Sequence, residues 1–258
     1  MNGLKDIIER NNLKLGHHSL SEEYGTEHFC FLLYSLVRMQ RPTNIIELGC
    51  GFGCVSSILG QALKENKKGK LWCIDNQSDW PLLKEKLKKI NEDHNTYNEY
   101  FNFLINKFKL NNYIEYKNIN IDFESRNVFS INEPIDMLFV DTASGPRECF
   151  QILNFYLHRM SNYSDIFIDR ASTINHSFLT IEYIVNLLQK GKLPKILLED
   201  KTKDEINYLY NFVQRSKFTL IHLAESPENK SNEFQNSTAW IKIEPIDIFI
   251  GNGVKNYL

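Results

Sequence analysis

Two acidic residues and three glycines are spaced in a way that can hold a nucleoside-type ligand. Glu47 lies in the short apolar run 44–48, and glycines follow at positions 49, 51 and 53. Glycine takes positive φ values without strain and lets the backbone approach a ligand without a Cβ clash. A second acid, Asp75, ends the next apolar run, 71–74, and a carboxylate there can accept hydrogen bonds from ribose hydroxyls. The pattern therefore predicts a pocket for an adenosine-containing cofactor.

The charge of the glycine-rich segment distinguishes two classes of cofactor. Dinucleotides place a pyrophosphate at a helix N-terminus and usually need Gly-x-Gly-x-x-Gly, whereas the third glycine here comes one residue early. The Glu47 carboxylate would repel a pyrophosphate and would suit a cationic ligand that carries an α-amino group. The run Glu-x-Gly-x-Gly-x-Gly at 47–53 resembles motif one of the class I S-adenosylmethionine-dependent methyltransferases.

This resemblance extends from about Asn44 to Ala171 and, more weakly, to the C-terminus. It implies that the glycine segment surrounds the methionine part of S-adenosylmethionine and that Asp75 holds the ribose. The alternative is a turn of the same shape that binds no ligand. The cofactor-binding residues expected from the resemblance are Glu47, Gly49, Cys50, Gly51, Gly53, Asp75, Asn76 and Asp141.

Methyl transfer from a sulfonium is an in-line displacement, so the protein must chiefly align the acceptor with the methyl group. A base is needed where the acceptor is a hydroxyl or a protonated amine. The segment 139–145 looks like the one that follows strand four in bacterial small-molecule O-methyltransferases. Those often read Ile-Asp-Gly-Asp-His, of which only Asp141 is present here. Asp141 is the first candidate for the catalytic base, with a helix-capping acid as the alternative. His18 is the second, because histidine titrates near neutral pH.

A divalent metal is a further hypothesis at the ends of the fourth and fifth apolar runs. Catechol-type O-methyltransferases bind such a metal through an acid after strand four and an Asp-Asn pair after strand five. Asp141 and Asp169 match the first two ligands of a Mg²⁺ site, but Arg170 stands where the Asn would be. A guanidinium cannot ligate a cation, so Arg170 is expected to grip an anionic substrate group or to pair with an acid. Asp169, Arg170, Tyr24 and His28 are the expected substrate contacts.

The elements that must position these residues are short apolar runs that alternate with longer amphipathic stretches. This alternation predicts an α/β fold with a mostly parallel sheet covered by helices on both faces. The last two runs have little helix between them and should pair as an antiparallel hairpin. Such a seven-stranded, Rossmann-like sheet is also the topology of class I methyltransferases. The predicted strands are 44–48, 70–75, 113–117, 135–140, 164–168, 217–223 and 237–243.

Apolar stripes at helical spacing predict the helices and the division of the chain. Stripes between the strands begin at Trp80, Phe150, Ile181 and Ile206, and a loop rich in Asn and Asp is expected near 91–98. An amphipathic stretch also runs into Pro42. The expected units are an N-terminal helical addition at 1–42 that caps the substrate site, and a cofactor-binding domain at 43–258 with an insertion near 172–200.

Composition and charge are those of an ordinary globular protein. The 258 residues are 42% hydrophobic and 24% charged, with a formal net charge of −2. Such a charge gives no global attraction to nucleic acid or to an anionic membrane, and no apolar run has the length of a membrane span. The five cysteines form no Cys-x-x-Cys pair and are interpreted as reduced core residues. We therefore predict a cytoplasmic protein with a small-molecule substrate and no nucleic-acid or membrane partner; a homodimer is compatible with the family resemblance.

Together these patterns predict S-adenosylmethionine-dependent methyl transfer to a small molecule, with a hydroxyl oxygen as the first expected acceptor. Nitrogen and carbon acceptors stay open, as does a methyltransferase-fold protein that binds or regulates without catalysis. A nicotinamide oxidoreductase is a further alternative. A nucleic-acid substrate is disfavoured because no Asn/Asp-Pro-Pro-Tyr motif follows the fourth predicted strand.

Overall fold

A computed structural model defines the fold and describes residues 2–12, 26–88, 91–123, 128–142, 145–171, 175–224 and 237–246. The strands are β1 (Asn44–Leu48), β2 (Lys70–Asp75), β3 (Ile114–Asn118), β4 (Ile135–Val140), β5 (Met160–Asp169), β6 (Ser216–Ala224) and β7 (Ser237–Pro245). The helices are α1 (Asn2–Asn12), α2 (Thr26–Gln40), α3 (Cys54–Asn66), α4 (Trp80–Lys88), α5 (Tyr97–Lys107), α6 (Pro146–Tyr156), α7 (Asn175–Gln189) and α8 (Lys203–Arg215).

The strands form one seven-stranded sheet in the order β3-β2-β1-β4-β5-β7-β6. Strands β1 to β5 pair in parallel, and β7 runs antiparallel to both of its neighbours, β5 and β6. The predicted α/β sheet with an antiparallel hairpin at its end is confirmed. Because β1, β2, β4 and β5 run in the same direction, the segments that follow them meet at one edge of the sheet, where open α/β folds bind ligands.

Helices cover both faces of the sheet, as the alternating apolar pattern of the strands requires. Ile45 of β1 belongs to the core on the first face, with side chains of α2 and α3. Ile46 and Leu48 belong to the core on the second face, with side chains of α6, α7 and α8. Glu47 therefore points, like Ile45, to the first face.

The N-terminal helices pack on the first face of the sheet. The Phe29 ring centroid of α2 lies 5.9 Å from that of Phe139 in β4 and 6.1 Å from that of Phe167 in β5. Residues 13–25, which join α1 to α2, lie outside the described residues. The role of residues 1–42 as a substrate cap stays a prediction, as do the domain boundaries and the insertion near 172–200. In the described part of the chain, no helix has the length and apolar character needed to cross a bilayer.

Helix α5 was not among the predicted helices and begins inside the loop expected at 91–98. Its first turn is capped by Thr96, whose hydroxyl accepts the Glu99 backbone N–H at 3.2 Å. The Glu99 carboxylate in turn accepts the Asn95 backbone N–H at 2.8 Å. The signal for this helix was the Thr-x-x-Glu pattern of a capped N-terminus, followed by buried side chains at Tyr97, Tyr100, Phe101, Leu104 and Ile105.

Candidate active site

The glycine-rich loop that follows β1 adopts a backbone that only glycine takes without strain. Gly49, Gly51 and Gly53 have φ values of 83°, 48° and 69°. A Cβ atom at Gly49 would lie 2.1 Å from the carbonyl oxygen of Asp141, which follows β4. The loop therefore sits directly against the end of the neighbouring strand. Gly53 is the N-cap of α3, so the loop leads straight into a helix N-terminus.

Asp75 holds the glycine loop from the end of β2. Its Oδ2 accepts the backbone N–H groups of Cys50 at 2.8 Å and Gly51 at 3.4 Å. Its Oδ1 accepts the N–H of Gln77 at 2.6 Å. Carboxylate oxygens can accept more than one hydrogen bond, so this acid can fix the loop and still take part in binding a ligand. Asn76 beside it is exposed and donates to Asn120 Oδ1 at 3.2 Å.

Two tyrosines of α5 hold the carbonyl groups of the same loop. The Tyr97 hydroxyl donates to the Gly51 oxygen at 2.9 Å, and the Tyr100 hydroxyl donates to the Phe52 oxygen at 2.6 Å. Both rings are buried. The loop conformation is thus fixed by side chains from β2 on one side and from α5 on the other.

A cleft of about 390 Å³ opens beside this loop at the carboxyl edge of the sheet. One part of its wall is apolar and consists of Ile119, Ile121 and Phe123, which follow β3. The remainder is mostly polar and includes four acids. The described residues that line the cleft are Gly49, Ile74, Asp75, Asn76, Ser78, Asp79, Ile119, Ile121, Phe123, Asp141, Thr142, Glu148 and Arg170.

Asp141 and Asp169 meet at the ends of β4 and β5. The two carboxyl groups are close enough for each to influence the pKa of the other. Burial and the charge of Asp141 raise the pKa of Asp169 to about 7, against a hydrogen bond from Thr238; the Thr238 hydroxyl donates to Asp169 Oδ1 at 2.7 Å. Burial also raises the pKa of Asp141, and the Arg170 guanidinium opposes that shift.

Arg170 is the residue that follows this acid pair, and it lines the cleft. Its Nε lies 3.9 Å from Asp141 Oδ1, and 45% of its side chain is exposed. Its φ of 55° is in the left-handed region, which disfavours residues with a Cβ by about 1 kcal/mol. The geometry fits both roles expected for Arg170, since the guanidinium faces an acid and also reaches open space.

The residues at this acid pair do not fit a divalent metal. Of the described side chains, no third carboxylate, histidine or cysteine groups with Asp141 and Asp169 at ligand spacing. The Arg170 guanidinium lies 3.9 Å from Asp141, has no lone pair to offer and repels a cation. No step of the chemistry below passes through a metal at this position.

Glu47 does not line the cleft in the part of the chain that the structure describes. Only 1% of the residue is exposed, and its Oε2 accepts the Ser56 hydroxyl at 2.6 Å and contacts Cys73 Sγ at 3.3 Å. Burial raises the pKa of Glu47 to about 8, although the hydrogen bonds from Ser56 and Cys73 oppose the shift. A direct contact of Glu47 with the cofactor therefore stays a prediction.

The remaining predicted residues divide into those near the cleft and those outside the described residues. Cys50, Gly51 and Gly53 belong to the loop behind the cleft wall. His18 and Tyr24 lie outside the described residues, and His28 is placed only as a position in α2.

The sequence patterns did not single out the apolar wall after β3 or the acids Asp79 and Glu148. The alternation Ile119, Ile121, Phe123 just past a predicted strand was the available signal for that wall.

Comparisons with known proteins agree with this geometry. Residues 46–170 match the model of a family described as "Methyltransferase domain". They form a methyltransferase domain. This segment runs from β1 to Arg170, so it contains every described residue of the cleft. No curated protein matches the chain by sequence.

Two solved structures show that the methyltransferase domain and its flanking helices have a known fold. An O-methyltransferase from Bacillus cereus, crystallised with S-adenosylhomocysteine, is 14% identical with a TM-score of 0.50. The match covers 95% of this chain and 91% of that one. A structure from Klebsiella pneumoniae gives 14% identity and a TM-score of 0.51, with 95% and 90% of the two chains covered. The fold is therefore the Rossmann-like fold of class I methyltransferases.

Proposed function

We propose that this methyltransferase-domain protein transfers the methyl group of S-adenosylmethionine to a hydroxyl oxygen of a small molecule. The observation that carries the proposal is the charge of the cleft beside the glycine loop. Asp75, Asp79, Asp141 and Glu148 line it, and Arg170 is the cation among its described lining residues. Such a cleft attracts a sulfonium and an α-ammonium group, and it repels the pyrophosphate of a dinucleotide.

The two parts of the cleft wall suit the two ends of the cofactor. The apolar surface of Ile119, Ile121 and Phe123 suits the adenine, because burying a flat ring removes apolar area from water. Asp75 and Asn76 lie at the end of β2 with acceptor oxygens for the ribose hydroxyls. The methionine part would then lie along Gly49 and the loop toward Asp141, with Cys50, Gly51 and Gly53 shaping the loop and Glu47 supporting it from behind.

The acceptor end of the cleft is the edge formed by Asp141 and Arg170. When bound, S-adenosylmethionine supplies an electrophilic methyl carbon and a neutral thioether leaving group. Asp141 would take the proton of the acceptor hydroxyl as the oxygen attacks. A carboxylate whose pKa is raised toward neutrality is a more effective base than an ordinary one. Asp169 lies beside Asp141 and would tune the pKa of that acid, and Arg170 would orient an anionic group of the acceptor.

Three residues outside the described part of the site complete the proposal. His18 is a second candidate base, and Tyr24 and His28 are candidate substrate contacts from the segment before β1. The volume of the cleft, about 390 Å³, is in the range of small-molecule sites and supports binding of the cofactor itself. A cytoplasmic location is supported by five buried thiols, which are typical of a reducing compartment.

Thermal unfolding with ligands tests the cofactor directly. S-adenosylmethionine and S-adenosylhomocysteine at 100 times their dissociation constants should each stabilise the protein by about 2.7 kcal/mol. NAD(H) at the same concentration should leave the midpoint unchanged. A shift with NAD(H) alone would replace the proposal with a nicotinamide enzyme. Binding of both sulfur ligands without turnover on a panel of phenols, hydroxy acids and amines would favour the non-catalytic alternative.

A further inference from the structure

Four polar side chains converge behind the glycine loop, on the side away from the cleft. They belong to Glu47 of β1, Cys50 of the loop, Ser56 of α3 and Cys73 of β2. Glu47 Oε2 lies 2.6 Å from Ser56 Oγ and 3.3 Å from Cys73 Sγ. The ligand atoms of Glu47, Cys50 and Cys73 all lie within 4.8 Å of one another. The strand register places Glu47 directly beside Cys73, so this arrangement follows from the pairing of β1 with β2.

The group is shielded from solvent. Glu47 is 1% exposed, Cys50 6%, Ser56 0% and Cys73 0%. Ser56 and Cys73 each donate to Glu47 Oε2. Cys50 Sγ also lies 3.6 Å from the Ile74 carbonyl oxygen. A buried carboxyl group among thiols is an unusual core, because hydrophobic packing alone would favour apolar side chains at these positions.

We propose that Glu47, Cys50 and Cys73 form a binding site for a thiophilic divalent cation, with Zn²⁺ as the ion whose ligand preferences they match. Zinc binds thiolate sulfur at about 2.3 Å and carboxylate oxygen at about 2.0 Å in a tetrahedral arrangement. Those lengths place neighbouring ligand atoms roughly 3.5–3.8 Å apart. The contact of 3.3 Å between Glu47 and Cys73 and the limit of 4.8 Å on the whole group bracket that range.

The surroundings suit an ion held by three anionic ligands. Glycine is the N-cap of α3 and gives no side-chain hydrogen bond there, so the partial positive charge of this helix terminus faces the loop. Ser56 lies in the first turn of α3 and donates its hydroxyl proton to Glu47 Oε2 at 2.6 Å. The ion would displace the thiol and carboxyl protons and would break the weak contact of Cys50 with Ile74.

The site would tie the glycine loop to the sheet. Cys50 supplies one ligand from the loop, and Glu47 and Cys73 supply two from adjacent strands. Neither Glu47 nor Cys73 is among the described residues that line the cleft. The ion would therefore stabilise the loop from behind without touching a cofactor or acceptor, and the inference is independent of the proposed methyl transfer.

Metal titration of the reduced protein tests the site. Full-length protein, freed of metal and kept in a phosphine reductant, would be titrated with Cd²⁺ while the thiolate-to-cadmium charge-transfer absorbance is followed. Zn²⁺ affinity would be measured by competition with a chromogenic chelator. The same titrations would be run on Cys73→Ser and on the matched control Cys149→Ser. Cys149 is also a buried thiol, but it belongs to the core on the opposite face of the sheet.

We expect one Cd²⁺ per chain with a charge-transfer band, and a similar result for Cys149→Ser. Cys73→Ser should lose at least about tenfold in Zn²⁺ affinity, since even a residue that only supports a ligand is worth that much. Equal affinity in the two variants, or no charge-transfer band in the unmodified protein, would overturn the site. If Cys73→Ser does not fold, alkylation of the unmodified protein is followed by mass spectrometry with and without Zn²⁺. Zn²⁺ should protect Cys50 and Cys73 from alkylation, and equal alkylation in both conditions would overturn the site. A Cys50–Cys73 disulfide found before reduction would also contradict it, because the pair would then be a redox pair.

Discussion

Tyr100 of α5 donates its hydroxyl proton to the carbonyl oxygen of Phe52, in the glycine loop, at 2.6 Å. Arg10 of α1 donates to the same hydroxyl oxygen at 3.3 Å and to Glu92 Oε2 at 2.7 Å. A single buried hydroxyl therefore connects the N-terminal helix to the loop beside the cleft. The first helix is part of the support of the candidate site, although it lies far from β1 in the sequence.

Tyr100→Phe should weaken both the fold and the binding of S-adenosylmethionine. The substitution keeps the ring but leaves the buried Phe52 carbonyl without its side-chain donor, which should lower the free energy of unfolding by about 1–3 kcal/mol. Denaturant unfolding and calorimetric titration measure the two effects. Tyr208→Phe is the matched control, because Tyr208 is 50% exposed. Unchanged cofactor affinity in Tyr100→Phe would show that the loop does not need this hydrogen bond.

Asp75→Ala should lower the affinity for S-adenosylmethionine by at least about tenfold, through lost ribose hydrogen bonds and a looser glycine loop. Asp136→Ala provides a matched control at the opposite edge of the sheet. The Asp136 carboxylate accepts the N–H groups of Thr43 and Asn44 at 2.7 and 3.0 Å, so its removal also costs backbone hydrogen bonds. Calorimetric titration should show the loss of affinity in Asp75→Ala alone; an equal loss in both variants would indicate a general effect on stability.

Asp141→Asn should reduce turnover far more than cofactor affinity if Asp141 is the base. The amide keeps the size of the side chain and cannot accept a proton from a hydroxyl, so a loss of about 10²–10⁴-fold in kcat is expected. Single-turnover kinetics on an identified acceptor, with the dissociation constant of S-adenosylmethionine measured in parallel, separate the two quantities. A variant with normal turnover would remove Asp141 from this role and leave His18 as the next candidate.

Mg²⁺ should add nothing to the stabilisation that S-adenosylmethionine or S-adenosylhomocysteine provides. Arg170 lies 3.9 Å from Asp141, and its charge excludes a cation from the Asp141–Asp169 pair. The measurement is the unfolding midpoint with each sulfur ligand, with and without millimolar Mg²⁺. A further rise with Mg²⁺ that Asp169→Asn abolishes would contradict the assignment and restore the metal hypothesis.

His158 should make stability fall as the pH drops below its ordinary titration range. Burial, followed by the charges of Arg159 and Lys201, lowers the pKa of His158 to about 4, against the attraction of Glu205. Between that value and the unfolded pKa of about 6.5 the unfolded chain binds a proton that the folded chain does not. The contribution of His158 to stability is thus complete above pH ~6.5 and is lost toward pH ~4, by up to about 3 kcal/mol.

The pH profile of His158→Gln checks this prediction. The variant should lose less stability than the unmodified protein between pH ~6.5 and ~4. His176→Gln, at an exposed histidine of α7, should leave the profile as it is. Parallel profiles for the unmodified protein and His158→Gln would show that folding does not change the pKa of His158.

Much of the fold could be predicted because the strands are short, mostly apolar runs. Runs such as 44–48 and 135–140 are mostly apolar, and their predicted bounds agree with the structure. Helix α5 could not be found in this way, because its buried face is made largely of tyrosine and phenylalanine. Those residues do not mark a helix by propensity, and only the Thr96 cap identifies it.

The candidate site was less accessible to sequence reasoning than the fold. The end of a parallel strand indicates where Asp75, Asp141 and Asp169 lie, and all three are found at that edge of the sheet. What a strand side chain contacts depends on which helices cover its face of the sheet. That arrangement is set by tertiary packing and cannot be read from a local sequence pattern. Glu47 illustrates the limit: its position before the glycines predicts contact with a ligand, which stays a prediction, whereas its contacts with Ser56 and Cys73 were not predicted.

Because position 49 must be glycine, the proposed cofactor binding and the proposed activation of the acceptor cannot be altered separately at this point. The backbone of Gly49 would line the cofactor site, and it lies against the backbone of Asp141, the residue proposed to activate the acceptor. There is no room for a Cβ atom between them. A change at this point would displace both at once. Variation in acceptor preference is therefore expected to arise elsewhere, at Arg170 or in the segments before β1, while residue 49 stays as it is.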